Sequence, residues 1–305
     1  MHDLIVIGGG PAGLTAAIYA ARACLDVLVV EESFMSGGQL LNNNEVNNYP
    51  ALPGISGMDL GIKMREHAEK LAIPIVKERV LEVNFENRNK LVMTDGGTYE
   101  ARCVVLATGC EPKKLGVPGE AELLGHGVSY SAVCDGPYLR NAEAVVIGGG
   151  DASAVSALYL AGICKKVYVL YRARRMRAAA ILRRRLEACD NVEMIGSLLT
   201  DAIAGENHVG AIWLHDVDTM EKRCIHADAV FVAIGTSPRT EYLNQQVYTN
   251  DEGYVVAGED CRTTVPGVFA VGDIRTKPLR QIITACADGA NAIESVKSYL
   301  ASIAE

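Results

Sequence analysis

The residues with the clearest chemical potential lie in the stretch Tyr130–Gly136, which reads YSAVCDG. Cys134 is followed directly by Asp135, so a thiol stands next to a group that can carry its proton. A disulfide-exchanging pair would have a second sulfur three residues before Cys134, but that position holds Ser131. A serine hydroxyl has no accessible oxidation state and does not exchange with disulfides. We therefore predict a catalytic segment of Ser131, Cys134 and Asp135 that holds half of a dithiol centre.

The other eight cysteines do not indicate a second redox or metal site. They are scattered at positions 24, 103, 110, 164, 189, 224, 261 and 286, without metal-type spacing. An odd total of nine is not typical of a disulfide framework. We expect these thiols to be reduced and mostly buried, which is the usual fate of free cysteine. No metal site is predicted.

Length, composition and charge narrow the class of protein. A chain of 305 residues indicates about two domains. It contains no apolar run near the ~20 residues of a membrane helix and begins as a strand rather than a secretory signal, so we expect a cytoplasmic protein. Residues 113–237 are neutral overall, and the net charge of −8 falls on the rest. Seven arginines cluster in Tyr171–Arg185 without interleaved aromatics, so we do not expect nucleic-acid binding.

The elements around the first glycine motif are those of a dinucleotide site. Residues 4–20 read LIVIGGGPAGLTAAIYA, which predicts a strand, a glycine turn and a helix. The next predicted strand, Val27–Val30, ends in Glu31. Such glycines let a pyrophosphate approach the start of the helix, while the acid binds ribose hydroxyls. The alternative is a glycine-rich turn without a ligand.

A second glycine motif, at residues 143–160, reads EAVVIGGGDASAVSALYL and is followed by the predicted strand Lys166–Leu170. Its third glycine position is Ser153, which we expect to crowd the contact between helix and strand. The following strand ends in Tyr171 and Arg172 instead of an acid. Arginine suits a 2′-phosphate, so NADPH is favoured over NADH if either binds.

The C-terminal part of the chain returns to the first motif. Residues 269–273 predict a short strand that ends in Asp273, and Arg280–Ile282 opens a helix. The predicted fold is therefore α/β with two Rossmann-like, three-layer dinucleotide-binding domains, the second inserted into the first. We predict a first domain formed by residues 1–112 and 238–305, and an inserted domain of residues 113–237. Pro and polar residues at both crossings are typical of linkers.

With these motifs in place, the chain resembles the low-molecular-weight thioredoxin reductases along its whole length. The markers are GGGPAG (8–13), GGQL (37–40), NNYP (47–50), ATG (107–109), CDG (134–136), GGGD (148–151) and VGDIRTKPLRQIITACADG (271–289). The resemblance implies FAD, a homodimer and a protein disulfide substrate such as thioredoxin. It also implies that the inserted domain rotates, that Cys134 is the flavin-side sulfur and that Asp135 carries the proton.

The motifs and the resemblance together assign the cofactor residues. FAD is assigned to Gly8, Gly10, Pro11, Ala12, Gly13, Glu31, Gly38, Gln39, Asn48, Ala107, Thr108, Gly109, Gly272, Asp273, Arg280, Gln281 and Ile282. A second dinucleotide, NADPH, is assigned to Gly148, Gly150, Asp151, Arg172 and Arg177.

Three departures from the family pattern leave the electron donor and turnover open. Ser131 replaces the first cysteine, either as an introduced substitution, which we prefer, or as a natural residue. Val155-Ser156 stands where the family has paired glutamates, and Ala173 replaces an arginine of the 2′-phosphate motif. A branch of the family that takes electrons from ferredoxin lacks the NADPH motifs, so both donors remain open. Two other functions also remain open, a flavin-bound redox sensor without turnover and a single-cysteine enzyme that reduces peroxide.

Overall fold

The chain folds as two compact units. The computed structural model describes residues 1–42, 46 and 48–304, with the side chains of residues 42, 134 and 304 outside this description. One unit comprises Met1–Glu111 and Ser237–Glu305, and the other comprises Pro112–Thr236. The predicted boundaries differ from these by one residue. Within the described residues, no helix is both long and apolar enough to cross a lipid bilayer.

The elements follow one another in chain order. Up to the first crossing they are β1 (His2–Ile7), α1 (Pro11–Arg22), β2 (Val27–Glu31), α2 (Gly57–Lys70), β3 (Ile75–Lys77), β4 (Val80–Asn84), β5 (Lys90–Thr94), β6 (Thr98–Leu106) and β7 (Cys110–Pro112). They continue with β8 (Val128–Ser129), α3 (Ala132–Asp135), β9 (Glu143–Ile147), α4 (Asp151–Ala161), β10 (Lys166–Leu170), α5 (Ala180–Glu187), β11 (Val192–Ile195), β12 (Leu198–Gly205), β13 (Val209–Asp216), β14 (Lys222–His226), β15 (Ala229–Val232) and β16 (Thr236–Pro238). They end with β17 (Val268–Ala270) and α6 (Ile282–Ala304), and short 3-10 helices cover Gly38–Asn42, Gly136–Tyr138, Glu241–Leu243 and Gly272–Ile274.

The first unit is a three-layer α/β structure. Its sheet has the order β3-β2-β1-β6-β5-β4, and β17 also pairs with β6. The strands β3, β2, β1, β6 and β17 are parallel, whereas β5 and β4 join antiparallel. Because side chains alternate along a strand, Leu4 and Val6 pack into a core cluster shared with α1 and α6, while Ile5 and Ile7 pack into a cluster on the other face.

The second unit repeats this architecture around a five-stranded parallel sheet, β11-β10-β9-β15-β8. Ala144 and Val146 of β9 pack against α4, and Val145 and Ile147 pack into a separate cluster with the antiparallel sheet β12-β13-β14. Both units therefore have the predicted Rossmann-like layers. The antiparallel sheet was not among the predicted elements.

Candidate active site

The first glycine motif forms the turn between β1 and α1, and its glycines differ in what surrounds them. A Cβ built on Gly8 would lie 2.5 Å from the carbonyl oxygen of Ala107, and one built on Gly13 would lie 1.9 Å from that of Gly8. The packing of the turn therefore requires both glycines. A Cβ built on Gly10 would lie 4.0 Å from the carbonyl oxygen of Gly37, which is the nearest heavy atom of the described chain apart from Gly10 and its own chain neighbours. This methyl-sized space over the second glycine is what the close approach of a pyrophosphate needs.

Glu31, at the end of β2, lies beside the same turn. Its buried carboxylate accepts hydrogen bonds from the backbone N–H groups of Gly9 and Ser33. Burial raises the pKa of Glu31, and the two backbone hydrogen bonds oppose that rise. Each carboxylate oxygen has more than one acceptor site, so Glu31 is fixed in place while it keeps capacity to accept from ribose hydroxyls.

Two buried polar atoms after β17 have no partner within the described part of the chain, Oδ1 of Asp273 and Nε of Arg280. Asp273 lies in the turn Gly272–Ile274, and the guanidinium of Arg280 lies 4.1 Å from the ring centroid of Tyr254. Burial raises the pKa of Asp273, and the charge of Lys277 opposes this. Buried polar atoms normally have partners. An acceptor and a donor left over in one segment fit a ligand with hydroxyl and anionic groups, and FAD carries both.

Other residues assigned to FAD also meet in the first unit. The amide of Asn48 donates to Oε1 of Gln281 at 2.7 Å, although the two are 233 positions apart. Ile282 begins α6 and packs against the cluster that contains Leu40. Gln39 donates through its side-chain amide to the backbone carbonyl of Cys110.

Several assigned residues have packing roles instead of free polar groups. The hydroxyl of Thr108 donates to the carbonyl of Arg239 at 2.8 Å, and Gly109 has a positive φ of 68°. Pro11 occupies the first helical position of α1, where its missing N–H costs nothing. A Cβ on Gly272 would lie 2.9 Å from Cβ of Ala12. These contacts give the four residues packing and backbone roles in the first unit.

The second glycine motif, between β9 and α4, shows the same division. A Cβ on Gly148 would lie 2.2 Å from the carbonyl oxygen of Ala233, and one on Gly149 would lie 3.2 Å from Cβ of Tyr171. Gly150 has no heavy atom of the described chain within 4 Å of such a Cβ. Ser153, at the third glycine position, is fully buried, and its hydroxyl donates to the carbonyl of Gly150 at 2.7 Å.

The arginine cluster divides into residues that hold the loop after β10 and residues that face solvent. The guanidinium of Arg183 donates to the carbonyls of Met176 and Ala178, at 3.1 and 3.0 Å. Asp151, assigned to the second dinucleotide, accepts from the backbone N–H of Ala179 at 2.7 Å and so also anchors this loop. Arg174 pairs with Asp218. The exposed arginines are Arg172, Arg174, Arg175, Arg177, Arg184 and Arg185.

The predicted catalytic segment is held by hydrogen bonds on its N-terminal side. Ser131 precedes α3, and its backbone N–H donates to Oγ of Ser129 at 2.9 Å. The N–H of Asp135 donates to the carbonyl of Ser131 at 3.2 Å. Cys134 lies in α3, and its side chain is outside the described residues.

Sequence reasoning missed Glu120, which ties this segment to the start of the second unit. Its carboxylate accepts from the N–H groups of Leu115 and Gly116, at 2.8 and 2.7 Å, and from the hydroxyl of Tyr130 at 2.9 Å. Burial and the hydrogen bond to Glu120 raise the pKa of Tyr130 to about 12. Glu120 is 4% exposed. An acid in the Pro-Gly-rich stretch around residue 120 carries no local sequence pattern that would indicate this role.

The expectation that the remaining thiols are buried is met in part. Among the cysteines with described side chains, the buried ones are Cys103, Cys110, Cys164 and Cys261, and the exposed ones are Cys24 and Cys224. Burial raises the pKa of Cys103 to about 12 and of Cys164 to about 11. These two thiols are therefore protonated and unreactive at neutral pH.

Two Rossmann-type units, each with an open second glycine, and a thiol segment in one of them define a dinucleotide-dependent oxidoreductase. The family profile described as pyridine nucleotide-disulphide oxidoreductase matches residues 2–289. The chain is 41% identical over 306 residues to the thioredoxin reductase of Bacillus subtilis, an alignment that covers all of this chain and 96% of that protein. The chain therefore belongs to the pyridine nucleotide-disulphide oxidoreductase family, in its low-molecular-weight thioredoxin reductase branch, whose members are FAD-dependent.

Solved structures agree with this placement and confirm the predicted fold class. The thioredoxin reductase of Lactococcus lactis superimposes with a TM-score of 0.81 at 34% identity, over 99% of this chain and all of that one. A ferredoxin-flavin thioredoxin reductase from Clostridium acetobutylicum is similar at a TM-score of 0.54 and 28% identity, over 99% of this chain and 98% of that one.

Proposed function

We propose that this protein is a flavoprotein disulfide oxidoreductase that binds FAD in its first unit and NADPH at the second glycine turn. The observation that carries the proposal is the space over Gly10 and Gly150, which each unit keeps open and the packing does not require. The unpartnered atoms of Asp273 and Arg280 support FAD as the ligand of the first unit. Bound FAD would supply two-electron redox chemistry. The first test is the visible absorbance of the purified protein, which should be yellow.

The reactive thiol of the proposal is Cys134. A Cys134 thiolate attacks a substrate disulfide, forms an S–S bond to one substrate sulfur and releases the other as a thiolate, which then takes up a proton. Ser131 stands where the second sulfur would be needed to break this mixed disulfide. The bond therefore persists until an external thiol cleaves it. Whether introduced or natural, Ser131 limits the chain to one half of the exchange.

The parent activity in this proposal is reduction of a protein disulfide such as that of thioredoxin. Replacing Ser131 by Cys should create thioredoxin reduction that the present chain lacks, with Ser131→Ala as the control that adds no sulfur. Electrons can be supplied to the protein by dithionite, so that the result does not depend on the natural donor. If Ser131→Cys is as inactive as Ser131→Ala, the reductase proposal is wrong.

The donor is proposed to be NADPH because the second turn keeps Gly150 open and Arg172 and Arg177 are exposed on the loop beside it. Ferredoxin is the second candidate, favoured by the exposed arginines of the same loop and α5, since an acidic carrier would dock on them by charge complementarity. The candidates are separated by mixing the protein anaerobically with NADPH, NADH or reduced ferredoxin and measuring the bleaching of the flavin absorbance. Bleaching by ferredoxin alone would refute the NADPH proposal.

The single thiol also motivates two rival functions, a redox sensor without turnover and a peroxide-reducing enzyme that forms a sulfenic acid on Cys134. Rapid peroxide consumption by the chain, lost in Cys134→Ala, would favour the second.

The proposal further includes the homodimer expected from the family. Sedimentation velocity would test it, and a monomer at micromolar concentration would contradict it.

A further inference from the structure

A buried ionic cluster lies at the start of α6 in the first unit. The carboxylate of Asp288 accepts two hydrogen bonds from the guanidinium of Arg275, at 2.8 and 2.7 Å, and one from the ammonium of Lys277, at 2.8 Å. The three side chains are only 3–4% exposed. Burying such charges is costly, so a buried ion pair is weak evidence for a role in stability alone. The geometry of the cluster indicates a different role.

The fourth hydrogen bond to Asp288 comes from the backbone. The N–H of Gly272 donates to Oδ2 of Asp288 at 2.8 Å. Gly272 has a φ of +71° and begins the turn Gly272–Ile274, where a Cβ would press on Ala12 at 2.9 Å. The turn is thus held on one side by Asp288 and confined on the other by α1.

Arg275 fixes the far end of the same turn. Besides its two bonds to Asp288, its guanidinium donates to the carbonyls of Ala257 and Thr276, at 3.2 and 3.1 Å. Lys277 adds a bond to the carbonyl of Thr284 in the first turn of α6, at 3.2 Å. The residue between the two fixed ends is Asp273, whose Oδ1 is buried without a partner in the described chain.

We propose that Asp288 is a positioning residue for the cofactor, which acts by holding the turn so that the Asp273 carboxylate is presented to a hydroxyl or other donor group of FAD. This inference rests on the proposed FAD binding of the first unit. The carboxylate of Asp288 accepts its four hydrogen bonds from Arg275, Lys277 and Gly272. It would therefore act on the ligand indirectly, by holding the turn. Charge-assisted, bidentate bonds give this support its rigidity.

The test measures the FAD dissociation constant and the unfolding temperature of each variant. Asp288→Asn keeps the shape of the side chain and removes its charge, and it should raise the FAD dissociation constant at least tenfold. This constant is measured from the rise in flavin fluorescence on dilution of the purified flavoprotein. The control is Val296→Ala, which shortens a fully buried side chain of the same helix about two turns away. The control lowers stability without touching the turn and should change the constant less than threefold.

Arg275→Lys provides a second route if Asp288→Asn does not fold. It keeps the charge of the cluster but loses the bidentate geometry and the two carbonyl bonds, and it should raise the FAD dissociation constant at least fivefold. The inference is overturned if Asp288→Asn and Arg275→Lys fold, have the same unfolding temperature as Val296→Ala, and bind FAD no more weakly than that control. If the unchanged protein takes up no FAD, the proposed function fails as well. Normal FAD binding by the protein and by Asp288→Asn alike would defeat this inference only.

Discussion

Replacing Gly150 by Ala separates a nucleotide-binding role from a structural one. The backbone at Gly150 has φ −104° and ψ −174°, which alanine adopts freely, and the added Cβ meets no heavy atom of the described chain within 4 Å. Because alanine narrows the unfolded ensemble, the free energy of unfolding should stay the same or rise by about 0.4–1 kcal/mol. A pyrophosphate lying on this backbone would meet the methyl group. An overpacking cost of about 1–3 kcal/mol weakens NADPH binding roughly five- to 150-fold.

The assay is anaerobic bleaching of the flavin over a range of NADPH concentrations, together with urea unfolding of the same samples. Gly10→Ala is the matched variant in the first unit, where the nearest atom is 4.0 Å away, and it should weaken FAD instead of NADPH. Gly13→Ala should behave differently from both, because its Cβ would lie 1.9 Å from the Gly8 carbonyl and must disrupt the turn. A loss of stability in Gly150→Ala, or unchanged NADPH dependence in a protein that NADPH reduces, would refute the reasoning.

Three further outcomes follow from individual hydrogen bonds. Tyr130→Phe should lower the free energy of unfolding of the second unit by about 1–3 kcal/mol, since it removes one hydrogen bond to the buried carboxyl group of Glu120, and no change in urea unfolding would contradict this. Arg183→Met should loosen the loop after β10 and weaken NADPH bleaching at least threefold while the flavin spectrum and FAD affinity stay unchanged. Burial raises the pKa of Asp288, but the bonds from Arg275 and its neighbours outweigh this and hold it below its ordinary value of 3.8. The stability difference between the protein and Asp288→Asn should therefore be full above about pH 4 and shrink as the pH falls further, as acid unfolding would show.

The elements that carry the glycine motifs could be predicted because their signals are local. Strand β1, helix α1 and strand β2 appear in the sequence as an apolar run, a glycine turn with Pro11, and a second apolar run that ends in Glu31. The second unit repeats this pattern in β9, α4 and β10. Hydrophobic periodicity and glycine chemistry are sufficient for such elements.

The polar supports of the site could not be predicted, because their partners are distant in sequence or carry no pattern. Glu120 reaches Tyr130 only once the chain has turned back through β8, and Asp288 meets Arg275 across the turn that starts α6. The hydrogen bond from the Ser153 hydroxyl to the carbonyl of Gly150 was not predicted either, although a serine hydroxyl can bond a carbonyl three residues before it.

The two glycine turns allow structural need to be separated from ligand need. In both turns the first two glycines of the three-glycine run are confined by backbone or side-chain atoms. Any folded Rossmann-type turn of this shape would therefore keep them. These glycines are Gly8, Gly9, Gly148 and Gly149. Gly10 and Gly150 have no such constraint, and alanine fits both sites by the geometry of the chain alone. Packing therefore cannot account for glycine at Gly150, whereas a phosphate lying against its backbone can. If the proposed NADPH binds here, the missing acid at Tyr171 and the missing arginine at Ala173 would weaken its ribose and 2′-phosphate contacts, whereas the space over Gly150 would still admit its pyrophosphate. These features of the second unit favour the hypothesis that nucleotide binding is weakened over the hypothesis that it is abolished.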